Sequence, residues 1–422
     1  IKTIIYPHIK IDQLKKDNNT LKYDNDRLKK IIKNISKPYI FDEYLKKNLI
    51  DLKFALSQSI QLKDYRIKVF EPTGDKLMFG SSYNVIPGSA YLEINDDDLY
   101  LISKSGIISF TKLENLKKEN FHFTQIKNNI EKFLPAELIK TNSMFNINDA
   151  LIHNDYLYIS FTNEIYDECF NTGIIYASLN KEFLNFSYFF SPKECIHAKK
   201  NKDKEFYPIQ SGGRMIIFKN NYLLLTTGDY RERYKAQDKK SIFGKVLSID
   251  LNNKNYSIVS MGHRNPQGIT LSKDNKYAIT TEHGPMGGDE INIIELNDKT
   301  IDNFGWPISS YGEHYGGKVN ANKEKYIKYP LYKSHKKFGF IEPLKSFQPA
   351  IGPSEIVNYK KNFYLMSTLR DKSLYFLEIN KKKIKSIKRF ETKQRIRDLK
   401  YYKNTVYLYF ESTGSLGILE VG

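Results

Sequence analysis

Cysteine and long hydrophobic runs are scarce in this chain. Only two cysteines, Cys169 and Cys195, occur among 422 residues, and two cysteines cannot form a zinc site alone. We favour a disulfide between neighbouring strands over two free thiols, and such a bond indicates an oxidising compartment. No run of about 18 apolar residues is present, which excludes an obvious membrane-spanning helix. Because the chain begins at Ile1 rather than Met, we expect a missing leader and a periplasmic or otherwise exported protein, with a membrane tether as one form of export.

Several common catalytic motifs are also missing. The sequence has no P-loop, no Gly-x-Ser-x-Gly elbow, no His-Glu-x-x-His pair and no dinucleotide-binding fingerprint. These absences argue against common hydrolase, kinase and nicotinamide-dependent classes. Any active site must therefore be built from a less familiar set of residues.

Positive charge is abundant but dispersed. The formal net charge is +18, and the lysines occur in pairs and triplets along the whole chain. A nucleic-acid-binding protein more often clusters its basic residues on a recognisable module, and none is present. We therefore interpret the lysines as a solvated surface and predict no nucleic-acid partner.

The N-terminal segment, residues 1–65, has helical patterning. Asn18 and Asn25 alternate with apolar residues in a seven-residue pattern, which is typical of a two-stranded parallel coiled coil and suggests self-association through residues 11–35. A single amphipathic helix packed on the main domain explains the pattern equally well. A second short helix is predicted over about 40 to 65. The apolar positions spaced seven apart are Leu14, Leu21, Leu28 and Ile35.

The remaining chain, residues 66–422, is predicted to be all-β. A polar turn followed by an apolar-aromatic strand recurs six times at irregular intervals. A sandwich seldom needs about 350 residues, and the long alternating helices of an α/β fold are absent. Six blades of four short strands, forming a β-propeller, explain the repeats most economically. The strand in each repeat is marked by Tyr100, Tyr158, Leu223, Ala278, Tyr364 and Tyr407.

Two glycine-rich segments combine turns with convergent polar side chains. They are Gly262-His263-Arg264-Asn265-Pro266-Gln267-Gly268 and the segment from Glu282-His283-Gly284-Pro285 to Asn292. Segments of this kind next to strands form the rim of a pocket on a rigid scaffold. Together with Phe304-Gly305-Trp306-Pro307, they resemble the successive signatures of the PQQ-dependent glucose/sorbosone dehydrogenase family, especially its aldose sugar dehydrogenase branch. Further matching pieces extend the resemblance to roughly residues 75–422.

This resemblance implies a six-bladed propeller that binds pyrroloquinoline quinone (PQQ) in a basic funnel, with Ca²⁺ bridging cofactor and protein. Guanidinium groups suit the carboxylates of PQQ, and backbone carbonyls at Gly284 and Pro285 suit Ca²⁺. Asp289, Glu290 and Asn292 are expected to hold their own turn, and Trp306 is expected to pack at a blade corner. By motif position, Arg264, Asn265 and Gln267 face the cofactor, while Arg370, Arg395 and Arg397 hold its carboxylates.

One departure from the family pattern concerns the catalytic base. The family has a His that takes the proton of the sugar hydroxyl at the position of Gln210, and Asp229, which supports that His, is retained. An amide cannot act as a general base, so His283 or a desolvated Asp229 would have to replace it. Further departures on the cofactor side are Gln348 and Ala350.

Two functions follow as hypotheses. The first is a PQQ- and Ca²⁺-dependent oxidoreductase that oxidises a sugar or polyol hydroxyl and passes electrons to an external acceptor, with Arg264 stabilising the developing charge. The second is a non-catalytic propeller that binds a saccharide, a PQQ-like anion or a partner protein. Nucleic-acid binding driven by charge ranks last.

Overall fold

The structure is a computed structural model that describes residues 52–74, 79–80, 85–86, 89–135, 145–296, 300–316 and 322–420. The heptad pattern of residues 11–35 lies outside the described residues, so the coiled-coil prediction stays a prediction. Among the described residues, no helix has the length and apolar character needed to cross a membrane.

Strands dominate the described part of the chain, which confirms the all-β prediction. The single α-helix there is α1 (Lys323–Lys328), and short 3₁₀ turns occur at Leu113–Lys117, Ile130–Lys132, Arg233–Gln237 and Lys336–Phe338. The strands are β1 (Leu52–Leu62), β2 (Tyr65–Pro72), β3 (Phe79–Gly80), β4 (Val85–Ile86), β5 (Ala90–Asn95), β6 (Asp98–Ser103), β7 (Ile108–Lys112), β8 (Asn120–Asn128), β9 (Ile147–His153), β10 (Tyr156–Tyr166), β11 (Cys169–Ser178), β12 (Phe183–Leu184), β13 (Ser187–Phe190), β14 (Ile196–His197), β15 (Gly212–Phe218), β16 (Tyr222–Thr227), β17 (Lys245–Asp250), β18 (Tyr256–Met261), β19 (Pro266–Leu271), β20 (Tyr277–Glu282), β21 (Asp289–Glu295), β22 (Asp302–Asn303), β23 (Lys345–Phe347), β24 (Pro353–Lys360), β25 (Phe363–Thr368), β26 (Ser373–Asn380), β27 (Lys383–Glu391), β28 (Ile396–Tyr402), β29 (Thr405–Phe410) and β30 (Ser415–Glu420).

The second predicted helix, residues 40–65, is wrong over its described part. β1 occupies this region, pairs antiparallel with β2 and also pairs with β8. Leu52 and Phe54 are buried on either side of exposed Lys53, an alternation typical of a strand rather than a helix. Pairing with distant strands overrides the local helical preference. The β-structure therefore begins before residue 66, the boundary that the sequence predicted.

Successive sheets are built from strands that follow one another along the chain. The sheet orders include β9-β10-β11-β13, β15-β16-β17-β18, β19-β20-β21-β23 and β24-β25-β26-β27. The largest sheet runs β28-β29-β30-β2-β1-β8-β7-β6-β5, so the N-terminal β2 pairs with the C-terminal β30. Six strands that lie at the ends of these sheets contact one another in a closed cycle, and we call them the first strands: β5, β9, β15, β19, β24 and β28. The largest sheet contributes two of them, β5 and β28. This radial arrangement is a β-propeller-like fold.

The repeat seen in the sequence corresponds to the strand that follows each first strand along the chain. Each of the six marker residues lies on the second strand, respectively β6, β10, β16, β20, β25 and β29. All six are buried, and they belong to apolar clusters that pack between neighbouring sheets. The repeated apolar-aromatic strand is therefore the strand most needed for the inter-sheet core.

Arg214 of β15 lies at the centre of the cycle of first strands and is 2% exposed. Its Nη1 is 3.0 Å from Asp149 of β9, 2.7 Å from Glu355 of β24 and 2.7 Å from Asp398 of β28. Its Nε donates to the Gln267 carbonyl of β19 at 2.8 Å, and its guanidinium lies 4.9 Å from the ring of Tyr91 on β5. The side chain of Arg214, on β15, thus contacts the other five first strands.

Candidate functional site

A cavity of about 620 Å³ opens at one end of the first strands. Its walls come from segments that precede β15, β19, β24 and β28, and from segments that follow β16, β20 and β25. Because these segments meet at the same end of the sheets, residues far apart in sequence converge there. The lining residues are Tyr207, Ile209, Gln210, Arg231, Arg264, Asn265, His283, Gly284, Pro285, Met286, Asp289, Tyr315, Ala350, Gly352, Leu369, Arg370 and Arg395.

Most of the predicted site residues line this one cavity: Gln210, Arg264, Asn265, His283, Gly284, Pro285, Arg370 and Arg395. Three do not line it. Asp229 is fully buried behind Gln210, and Arg397 is buried beside Glu411. Gln267 donates its amide to Asn265 Oδ1 at 3.1 Å, so it supports a lining residue instead of facing the cavity.

Gln210 and Asp229 form a buried pair at the position expected for catalysis. The Gln210 amide Nε2 donates to Asp229 Oδ1, which also accepts the Arg231 backbone N–H at 2.9 Å. Asp229 Oδ2 accepts the indole N–H of Trp306 at 2.7 Å, so Trp306 holds the carboxylate rather than only packing. Burial raises the pKa of Asp229, although the nearby Arg264 opposes the rise. Both carboxylate oxygens already accept hydrogen bonds and are separated from the cavity.

His283 lines the cavity but is a weak proton acceptor. Its Nε2 lies 2.7 Å from the Pro353 carbonyl, which requires this nitrogen to carry the proton. Burial and the positive charge of Arg264 together lower the pKa of His283 to about 3, although the hydrogen bond to the Pro353 carbonyl opposes the fall. A base with so low a pKa gives little driving force for removing a hydroxyl proton near neutral pH. The geometry therefore argues against His283 as the substitute base.

Arg264 is held by the segment that follows β20. Its Nη1 donates to the carbonyls of His283 at 2.9 Å and Gly284 at 2.6 Å. The guanidinium also lies 5.4 Å from the Trp306 ring and 5.7 Å from the Tyr315 ring. These contacts fix the cation at the cavity wall while other N–H groups of the fork can serve a ligand.

Asp289 organises the turn around Gly284, as the sequence indicated. Its Oδ1 accepts the Gly284 N–H at 2.9 Å, and its Oδ2 accepts the N–H groups of Ile351 at 2.8 Å and Gly352 at 2.7 Å. Burial raises its pKa to about 6, although the three backbone donors oppose the rise. Asp289 therefore ties two cavity-lining segments together.

The C-terminal arginines share one buried acid. Arg395 Nε donates to Glu411 Oε1, and Arg397 Nε donates to Glu411 Oε2, both at 2.6 Å. Burial alone would raise the pKa of Glu411, but the positive charges of Arg397, Arg395 and Lys104 outweigh burial and hold it at about 2. Arg395 lines the cavity with its side chain 35% exposed, whereas Arg397 anchors the carboxylate behind it.

Gln348 and Ala350, the two further departures from the family pattern, lie in different surroundings. Ala350 lines the cavity, whereas Gln348 is exposed and donates its amide to the Tyr311 carbonyl. Sequence reasoning missed Tyr207, Arg231 and Tyr315, which lie together in the wall. Arg231 is two residues after Asp229 in a charged turn, and this proximity was the available signal.

Comparison with known proteins identifies the family of this chain. The model of the glucose/sorbosone dehydrogenase family matches residues 146–419, more than half of the chain. The chain belongs to the glucose/sorbosone dehydrogenase family. All of the predicted site residues fall inside the matched range, which starts next to β9.

Individual relatives agree with this assignment. An aldose sugar dehydrogenase of Escherichia coli strain K12 is 28% identical over 230 residues, which are 49% of this chain and 58% of that protein. The chain thus spans somewhat more than half the length of this relative. The apo crystal structure of the soluble aldose sugar dehydrogenase from Escherichia coli has a TM-score of 0.61 at 19% identity, covering 79% of this chain and 95% of that chain.

The chain is also similar to a structure that was solved with PQQ bound. The aldose sugar dehydrogenase from Streptomyces coelicolor in its PQQ-bound form has a TM-score of 0.58 at 19% identity and covers 82% of this chain and 96% of that chain. At this identity the similarity concerns the fold, and it agrees with the radial arrangement of the sheets.

Proposed function

We propose that this chain is a PQQ- and calcium-dependent oxidoreductase that oxidises a sugar or polyol hydroxyl, on a propeller of six four-stranded blades. The observation that carries the proposal is the convergence of Arg264, Arg370 and Arg395, together with Asn265, on one cavity. It is a divergent member because Gln210 occupies the position where the family resemblance implies a catalytic His.

The charge of the cavity fits an anionic cofactor. The only carboxylate among the lining residues is that of Asp289, and both of its oxygens are engaged by backbone N–H groups. The cavity volume of about 620 Å³ lies within the range of pockets for small molecules and cofactors. Arg264, Arg370 and Arg395 give the cavity the cationic character that a tricarboxylate requires.

The calcium prediction depends on the carbonyls of Gly284 and Pro285. Among the described residues, no hydrogen bond to the Pro285 carbonyl is found, but the Gly284 carbonyl accepts one from Arg264. This oxygen keeps a second lone pair, but the adjacent positive charge of Arg264 disfavours another cation there. The buried group of Asp149, Glu355 and Asp398 is a poor alternative, because the guanidinium of Arg214 already lies among these carboxylates.

The residues of this chain would bind and orient the substrate better than they would take its proton. PQQ, when bound, supplies the quinone that accepts the hydride. Gln210 can hydrogen-bond a hydroxyl group through its amide, but it cannot hold the proton. Asp229 lies behind Gln210 with its oxygens occupied, and His283 is too weak a base. We therefore expect turnover to be slow.

The same observations favour a second candidate, a non-catalytic propeller that retains the cofactor cavity and binds a saccharide, a PQQ-like anion or a partner protein. The Gln210–Asp229 pair supports it, because the Gln210 amide cannot take up a proton and both oxygens of Asp229 already accept hydrogen bonds. An N-terminal helical segment that self-associates through residues 11–35 is compatible with either candidate.

Export to an oxidising compartment, such as the periplasm, is part of the proposal. The Cys169–Cys195 disulfide supports it, because such bonds persist mainly outside the reducing cytosol. An external electron acceptor would then take the electrons released by the sugar. Nucleic acid is not a proposed partner.

The test is reconstitution of the purified chain with PQQ and CaCl₂, followed by dye reduction across a panel of sugars and polyols. We expect slow, PQQ-dependent turnover that a calcium chelator abolishes, and R264M serves as the variant with a damaged cavity. PQQ binding without turnover on any sugar would favour the non-catalytic candidate. Absence of PQQ binding would refute the cofactor assignment.

A further inference from the structure

Arg231 is a cavity arginine for which the cofactor site gives no role. Its guanidinium lies 4.2 Å from the Tyr207 ring and 5.5 Å from the Tyr315 ring, and all three side chains line the cavity. Its Nε is buried and has no hydrogen-bond partner in the part of the chain that the structure describes. A desolvated donor without a partner costs about 1 to 3 kcal/mol.

The backbone holds this side chain in place at a cost. Tyr230 and Arg231 both have positive φ, +49° and +65°, a region that non-glycine residues seldom occupy. The Arg231 N–H donates to Asp229 Oδ1 at 2.9 Å, and the Tyr230 N–H donates to the Gln210 carbonyl at 3.0 Å. Two consecutive strained residues persist where surrounding contacts determine them, and such residues cluster at ligand sites.

Arg231 and Gln210 are fixed by the same carboxylate oxygen. Asp229 Oδ1 accepts the Gln210 side-chain amide and the Arg231 backbone N–H. Through Asp229, the backbone of Arg231 is therefore linked to the side chain of Gln210, the position of the expected base, next to which a reacting hydroxyl would bind. Burial and the neighbouring Arg264 lower the pKa of Arg231.

We propose that Arg231, flanked by Tyr207 and Tyr315, binds the oxyanion of an acidic sugar, so that the substrate class is a sugar carboxylate or sugar sulfate rather than a neutral sugar. The planar guanidinium can form two parallel hydrogen bonds to either oxyanion. The two tyrosine rings provide apolar faces against which a sugar ring can pack. The inference rests on the proposed function because it assigns the substrate of the same cavity.

Calorimetry at fixed ionic strength tests the inference without any turnover. Glucuronate, glucose 6-sulfate and glucose are titrated into the full chain, with and without PQQ. We expect at least one of the two anions to bind about 10-fold or more tightly than glucose. The R231M variant should lose that preference, and R231K should keep part of it.

R66M is the matched control, because Arg66 is exposed on β2, a strand that contributes no residue to the cavity wall. It should bind the anions as the wild type does. Equal affinity of the wild type for glucose and both anions would overturn the inference, as would unchanged anion binding by R231M. A loss confined to PQQ binding in R231M would assign the arginine to the cofactor and also refute it. Failure of PQQ to bind at all affects the proposed function but leaves the sugar titration informative.

Discussion

At the residue scale, Gln210 is the residue on which the proposed chemistry of the cavity depends most. Its amide occupies Asp229 Oδ1. Among the described lining residues, His283 has too low a pKa, and both oxygens of Asp289 are engaged by backbone N–H groups. A histidine in place of Gln210 could donate one ring N–H to Asp229 and leave the second nitrogen towards the cavity. The pair would then act as an oriented base.

We therefore predict that Gln210→His raises PQQ-dependent turnover about 10²- to 10⁴-fold, the usual contribution of a positioned base. Steady-state dye reduction measures the change. The double variant Q210H/D229N is the control, because it supplies the imidazole without its carboxylate partner, and most of the gain should disappear. No gain in Q210H that has bound PQQ normally would contradict this account of Gln210.

Glu411 gives a prediction on stability and pH. Its pKa is about 2 in the folded protein and about 4.3 in an unfolded chain. Because the folded value is depressed, the stabilisation is present above the unfolded pKa and is lost as the pH falls from about 4.3 to 2. The loss should be on the order of 3 kcal/mol in the free energy of unfolding.

Glu411→Gln should flatten the pH dependence of stability in this window and lower stability at pH 7, because Arg395 and Arg397 lose their counter-ion. Denaturant unfolding at several pH values measures both effects. Glu420→Gln, a change at an exposed residue, should leave the profile as in the wild type. A wild-type-like slope in E411Q would show that other carboxylates determine the acid response.

The site itself was only partly predictable at this scale. Arg264, Asn265 and Gly284 could be found because their turns lie in short, glycine-rich motifs. Its position next to Asp229 was the only sequence signal for Arg231, because its place in the cavity wall depends on two positive-φ residues and on Tyr207 and Tyr315, which come from separate segments. Asp229 was found by motif, but its burial behind Gln210 is a property of the fold.

At the element scale, the recurring apolar-aromatic strand was predictable from the sequence, whereas β1 was not. The markers from Tyr100 to Tyr407 identify the second strand of each sheet because that strand is buried on both sides and has a strong apolar pattern. β1 has buried residues mainly at its ends, so its alternation is weak. Its pairing with β2 and β8 supplies the information that local sequence lacks.

The disulfide gives a prediction for one element. It joins Cys169 at the start of β11 to Cys195, next to β14, across 26 residues, and β14 pairs with β11. The favoured interpretation of the two cysteines is thus confirmed. We expect the C169A/C195A variant to lose about 2 to 4 kcal/mol of unfolding free energy, because its unfolded chain is less constrained.

Chemical denaturation with and without a reductant measures this contribution. The reductant should destabilise the wild type towards the variant and should leave the variant unchanged. A double variant as stable as the oxidised wild type would mean that β11 and β14 stay paired without the bond.

At the scale of the whole molecule, Arg214 joins the sheets at their common centre. Removing its guanidinium would leave the carboxylates of Asp149, Glu355 and Asp398 buried without a central cation. Breaking a buried ion pair by removing one partner costs about 3 to 5 kcal/mol. Arg214→Met should therefore lower the unfolding free energy by about this amount.

Thermal and denaturant unfolding measure the loss, with R389M as the control for the loss of one arginine. Because Arg389 belongs to a surface pair, that control should cost less than about 1 kcal/mol. An R214M variant within 1 kcal/mol of the wild type would refute a central structural role for Arg214.

The sheets bring arginines that are far apart in sequence together on one cavity, where we propose that they bind PQQ. Titration of the full chain with PQQ in the presence of Ca²⁺, followed by calorimetry, tests it most directly. We predict one bound equivalent in the wild type and at least about 10-fold weaker binding in R370M, whose altered side chain lines the cavity. No binding by the wild type, or equal affinity in R370M and the wild type, would contradict the claim.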